Sequence, residues 1–109
     1  MIPAHQELLR RLAINDEHAL DQVMEGQAID PPLLDDKTGA LVKVATLVAL
    51  EAGSSSYQWA VDAAHAASAE DTEIIDVLLE VAPIVGMARV NAAALALALA
   101  LGYEIDSQP

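Results

Sequence analysis

The amino-acid sequence predicts an all-α domain of about six helices. Apolar residues recur at helical spacing in one segment after another, and no alternating apolar run is bounded by hairpin turn dipeptides. Pro and Gly punctuate the chain where helices would stop.

The first helix is expected from about His5 to Ala13, with Leu8, Leu9 and Leu12 at helical spacing. Asn15 reads as the N-cap of a second, with Asp16 and Glu17 in its first turn, Leu20, Val23 and Met24 on its apolar face and Gly26 as its stop. Asp30-Pro31-Pro32 cannot continue a helix and marks a linker. A third helix follows, with Asp35 and Asp36 favoured at its N-terminus by the helix dipole. Its apolar stretch from Leu41 to Leu50 predicts a largely buried element ended by Gly53. Ser54, Ser55 and Ser56 are N-cap candidates for a fourth helix running through Trp59, Val61 and Ala64 to about Ala67. A fifth begins near Ser68 to Asp71, its first turn crowded by Glu70, Asp71 and Glu73 and its buried face made of Ile74, Val77, Leu78 and Val81. Pro83 and Gly86 are expected to kink or break the chain before a last helix from Met87 to Leu101, which Gly102 ends. The acidic tail beyond Gly102 reads as frayed.

At 109 residues the chain is expected to be a single domain, residues 1–109, with an N-terminal helix pair over 1–30 and core helices over 33–102. It contains no Cys, which excludes a disulfide framework, a thiolate zinc site and thiol peroxidase chemistry. A formal charge of -12, with only five Lys and Arg, would repel nucleic acid and anionic membranes, so neither is expected as a partner. Met1 to Arg10 carry polar and charged side chains and no continuous apolar core, so no secretory signal is expected and a cytoplasmic location is the default. Val81 to Leu101 is long enough to pass for a membrane span. Pro83, Gly86, Arg89 and Asn91 fall in its first half, however, and leave only Ala92 to Leu101 uniformly apolar, too short to cross.

Apolar residues make up 54% of the chain although Phe is absent and only three aromatics occur, so Ala, Leu, Val and Ile build everything. A domain this small and this apolar has more greasy surface than one core can cover, which points to burial between copies, a homo-oligomer.

Leu34-Asp35-Asp36-Lys37-Thr38, with Leu41-Val42 after two further residues, resembles the L-D-x-K-T-R-E-L-V opening of carboxymuconolactone decarboxylases. Glu73-Ile74-x-x-Val77-Leu78-Leu79 and Ala82-Pro83-x-x-Gly86 resemble the E-I-x-x-V-L-L and A-x-x-x-G elements of that family, and Asn91-Ala92 also falls in the familiar place. No gap is needed from Leu34 to Ala92. The resemblance implies an alkylhydroperoxidase D-like helical bundle assembled into trimers or hexamers, with active sites near subunit contacts.

One branch of the family uses a histidine on the fourth helix, and the alkylhydroperoxidase D-like branch uses Cys-x-x-Cys-x-x-x-His there. Carried across in register, the histidine position falls on Ala60, the second cysteine on Ser56 and the first on Gly53. The family's Arg-Glu after the lysine and threonine falls on Gly39 and Ala40. None of these side chains can do the original work. A serine hydroxyl is neither nucleophilic nor oxidisable at neutral pH as a thiolate is. Decarboxylation of a lactone acid needs a proton donor or acceptor near neutrality and a cation for the carboxylate.

His65 lies five residues after Ala60 and points about 140° away from it at about 100° per residue, so it is expected as a partly exposed surface histidine. His5 and His18 sit among acids, Asp16, Glu17, Asp21 and Glu25, that read as a solvated face, and no metal site or cofactor is expected. Catalytic residues cannot be assigned. Ser56, Tyr57 and Trp59 are the candidates for a remnant ligand pocket beside Ala60, although serines at a helix start serve as caps without any ligand and a lone Trp is more often core or interface.

The expected function is a catalytically degenerate member of the family, an oligomeric helical scaffold or small-molecule binder. One alternative is a divergent decarboxylase or hydrolase-like enzyme on a small lactone or carboxylic acid. Another is an acidic module whose N-terminal helices recognise a basic partner.

Overall fold

The computed structural model describes residues 3–105, which contain six helices and no strand. The chain divides into two compact units, Met1–Leu33 and Leu34–Pro109, and the division falls one residue beyond Asp30-Pro31-Pro32.

The first unit is a helix pair, α1 (Ala4–Ala13) packed on α2 (Glu17–Met24). α1 starts one residue before the expected His5, because Pro3 at the N-cap is extended and its carbonyl accepts the Glu7 N–H at 3.0 Å. The expected cap of α2 is displaced by one position. Asp16, not Asn15, caps it, with Oδ1 accepting from His18 N–H at 3.0 Å and Ala19 N–H at 3.4 Å. Asn15 takes a left-handed conformation, φ 60°, which Asn tolerates better than most residues, and so turns the chain between the helices. Arg11 Nε then donates to the second Asp16 oxygen at 3.0 Å. Gly26, φ 72°, ends α2 as expected.

The second unit is a bundle of α3 (Asp36–Leu50), α4 (Ser54–Ala66), α5 (Asp71–Val85) and α6 (Met87–Ala100), in which α3 packs on α4 and α5, and α6 on the same two. α3 begins where Asp35 Oδ1 accepts the Thr38 N–H at 2.7 Å. It presents Ala40, Val44 and Val48, at i, i+4 and i+8, as one buried stripe. Tyr57, Ala60, Val61 and Ala64 of α4 cover it, together with Ile74 and Leu78 of α5 and Ala93 and Leu97 of α6.

Several local expectations are corrected. α3 is not largely buried: Val42 is 51% and Leu50 71% exposed, because a helix apolar on all sides meets neighbours within the unit on only part of its surface. Gly53 does not end α3. Glu51 does, taking the left-handed C-cap conformation at φ 55° two residues earlier, while Gly53 becomes the N-cap of α4. Pro83 does not break the chain, since α5 continues through it to Val85. It sits in the last turn, where it withholds an N–H from the Leu79 carbonyl without ending the helix, and the break comes at Gly86, whose φ of 89° glycine adopts without strain. The tail is not frayed at its start, because Tyr103 N–H donates to Ala98 O at 2.8 Å. The rest of the expected frayed tail, residues 106–109, lies outside the described residues.

Ile74 is fully buried at the centre of the second unit, and Ile74→Ala is expected to cost about 2–5 kcal/mol of unfolding free energy. Chemical denaturation followed by circular dichroism measures this, and a loss near zero would place Ile74 outside the core.

Candidate functional site

The fourth helix carries the residues that sequence reasoning singled out. Gly53 caps α4 with an extended backbone and no side-chain hydrogen bond, so Ser54, Ser55 and Ser56 occupy its first turn and do not supply the cap. Ser56 N–H and Tyr57 N–H both donate to Gly53 O, at 3.1 and 3.4 Å. Ala60 is buried in the core, one turn on from Ser56 and on the same face as Tyr57, Val61 and Ala64.

Of the three pocket candidates, Tyr57 is buried, Ser56 is half-buried and Trp59 is 62% exposed. Two residues along a helix turn a side chain by about 200°, which sends Trp59 away from Tyr57. The structure therefore sets Ser56 and Tyr57 beside Ala60 and turns Trp59 to solvent. Burial pushes the Tyr57 phenol above its ordinary pKa, so it stays neutral at physiological pH and offers no base. Gly39 and Ala40 lie in the first turns of α3, Ala40 in the core, and neither places a charge near Ala60.

His65 has a partner across the turn from α4 to α5. Its Nε2 lies 2.7 Å from Asp71 Oδ1, and Tyr103 Oη donates to Asp71 Oδ2 at 2.7 Å. Both carboxylate oxygens of Asp71, the first residue of α5, are thereby engaged, and the end of α4, the start of α5 and the segment after α6 are joined. The Tyr103 hydroxyl bond, and secondarily the His65 bond, hold the Asp71 carboxyl below its ordinary pKa, while the same bond to Asp71 pushes the Tyr103 phenol up. The Asp71–His65 neighbourhood across the α4–α5 turn was open to a reader of sequence through the six-residue spacing. Tyr103, 32 residues from Asp71, was not.

The residues that carry the family resemblance also meet. Lys37 Nζ, at the start of α3, lies 2.8 Å from Glu73 Oε2, at the start of α5. The other Glu73 oxygen accepts Glu70 N–H at 2.9 Å and closes a capping box. These motif side chains tie helix ends together.

The sequence profile of the carboxymuconolactone decarboxylase family matches residues 17–100, from the first residue of α2 to the last of α6. The chain belongs to the carboxymuconolactone decarboxylase family. The match reaches beyond the Leu34 to Ala92 register and takes in α2. No curated protein and no solved structure matches the chain. With no cysteine anywhere in the sequence, this member lacks the Cys-x-x-Cys of the alkylhydroperoxidase D-like branch. Among the described residues no group of three or more His, Asp or Glu is placed to hold a metal ion, and no helix is long and apolar enough to cross a membrane.

Because the folded-state pKa of Asp71 is depressed, its interactions contribute stability above the unfolded value, about 3.9, and that contribution is lost as pH falls through the lower folded value. The melting temperature of Asp71→Asn should accordingly lie below wild type at pH 6 and approach it as the pH is taken below about 4. A gap that stays constant over that range would mean that the Asp71 carboxylate contributes nothing through its charge.

Proposed function

We propose that this member of the carboxymuconolactone decarboxylase family is catalytically degenerate and acts as an oligomeric helical scaffold or small-molecule binder. The observation that carries the reading is chemical: the register places Gly53, Ser56 and Ala60 where relatives carry a thiol pair and a histidine, and no cysteine occurs elsewhere to compensate. Ala60 packs into the core, where it has no proton to give or take. His65, the remaining histidine between Leu34 and Ala92, is held against Asp71 at the far end of α4.

Self-association is supported by what the second unit leaves uncovered. Ile84 of α5 is 85% exposed, and Leu95 and Leu99, one turn apart on α6, are 51% and 59% exposed. Apolar side chains at that spacing form a stripe that a second copy can bury, each large side chain contributing roughly 1.5–3 kcal/mol. Assembly into trimers or hexamers accords with the family. The acidic surface supports neither nucleic acid nor an anionic membrane as a partner.

Sedimentation equilibrium at micromolar concentration is expected to give three or six times the 11.5 kDa chain mass. Leu95→Glu combined with Leu99→Glu should dissociate the assembly, since two like charges would have to be buried. The same preparation should neither reduce peroxides nor decarboxylate a muconolactone above the uncatalysed rate. A monomeric wild type would overturn the scaffold, and measurable turnover would overturn the loss of catalysis.

A further inference from the structure

We propose that the N-terminal helix pair of one copy covers the Leu95 and Leu99 stripe of a second copy, α2 lying on α6 in a head-to-tail contact. The inference rests on the self-association proposed above and names the surface that meets the stripe.

The helix pair lacks a core of its own. α1 has 10 residues and α2 has 8, and isolated helices shorter than about 12–15 residues are marginal in water. Among the described residues of the unit Met1–Leu33, Ala19 is the one buried side chain. Units below about 40 residues are held by disulfides, by a metal or by association. The sequence has no Cys, and no group of described residues is placed to hold a metal ion, which leaves packing on another apolar surface.

The face that the pair offers is on α2. Leu20, Val23 and Met24 stand at i, i+3 and i+4, so they share one side of the helix. All three are exposed, Met24 by 85%. Glu17, seven residues before Met24, borders this stripe, Asp21 lies further round, and α2 contains no Lys or Arg.

α6 is the complement in shape and in charge. It is the one helix of the six without Asp or Glu, and Arg89 is its one charged side chain. In a chain of formal charge -12, an acidic helix is repelled least there. Ala88, Ala92, Leu95 and Leu99 line a single exposed face of α6, two small side chains that let a second helix approach and two leucines for it to pack on. Arg89 flanks that face and is loosely engaged within its own chain, Nε standing 3.6 Å from Glu51 Oε1. Both stripes are open in the single chain, and one contact between copies covers both. Because it joins two different faces it is head-to-tail, the class of contact that closes rings of three or more, whereas a face meeting its own copy stops at two.

The test is complementation between two full-length variants. Val23→Glu with Met24→Glu puts charge on the α2 stripe, and Leu95→Glu with Leu99→Glu puts it on the α6 stripe. Each alone should lose the wild-type assembly in sedimentation equilibrium at micromolar concentration while its circular dichroism spectrum is kept. Mixed in equal amounts, the two should give a heavier species that holds both chains one to one, because each supplies the face that the other has lost. Val23→Ser with Met24→Ser serves if the glutamates reduce helix content. An assembled wild type from which only one variant, or neither, loses mass would overturn the proposal, since the contact would not then join these two faces. A mixture that sediments as its separate components would overturn it as well. A monomeric wild type would end the scaffold reading and this contact with it, so failure of self-association and failure of the assigned faces are told apart.

Discussion

The second unit depends on the stripe of Ala40, Val44 and Val48 along α3. Residues four apart in a helix stack on one face, and these three are small, so neighbouring helices can approach closely. Tyr57, Ala60, Val61 and Ala64 of α4 and Ile74 and Leu78 of α5 complete a core made almost wholly of aliphatic side chains. With no Phe in the chain and one buried tyrosine, close approach of helices has to supply the contact that larger side chains supply elsewhere. The same composition explains the apolar residues left outside: four short helices have too little interior to cover both sides of α3 and α6.

Helix ends are organised as closely as the core. Asp16 and Asp35 cap α2 and α3, and Glu70 with Glu73 closes a box on α5. Lys37 reaches Glu73 across the start of two helices. Exposed ion pairs of this kind contribute little energy singly, but here the partner also serves as a cap, so its position is already set by the backbone. Lys37 and Glu73 are also among the residues through which the chain resembles its family. In this protein they hold architecture, and that architecture stands without the Cys-x-x-Cys of the alkylhydroperoxidase D-like branch.

The number, type and order of the helices, the carboxymuconolactone decarboxylase membership and the absence of thiol chemistry were all legible in the sequence. Apolar periodicity, Pro and Gly punctuation and residue identity are local properties, and they carry this much. Legibility was poorer at helix ends. Glu51 took the left-handed turn expected of Gly53, Asp16 the cap expected of Asn15, and α5 ran through Pro83, because each end answers to whichever nearby donor or acceptor the fold brings within reach. For the candidate site, Ser56, Tyr57 and Ala60 stand together as their spacing on one helix requires, whereas Trp59 faces solvent.

What only the tertiary structure decided is what meets across distance. The hydrogen bond from Tyr103 to Asp71 spans 32 residues, and a half-open apolar cleft between α5 and α6 forms where Ala94 and Ala98 face Ile75 and Leu78. Periodicity places a side chain on a face of its own helix, but which face of another helix it meets depends on how the helices cross, and that is set by packing of the whole core.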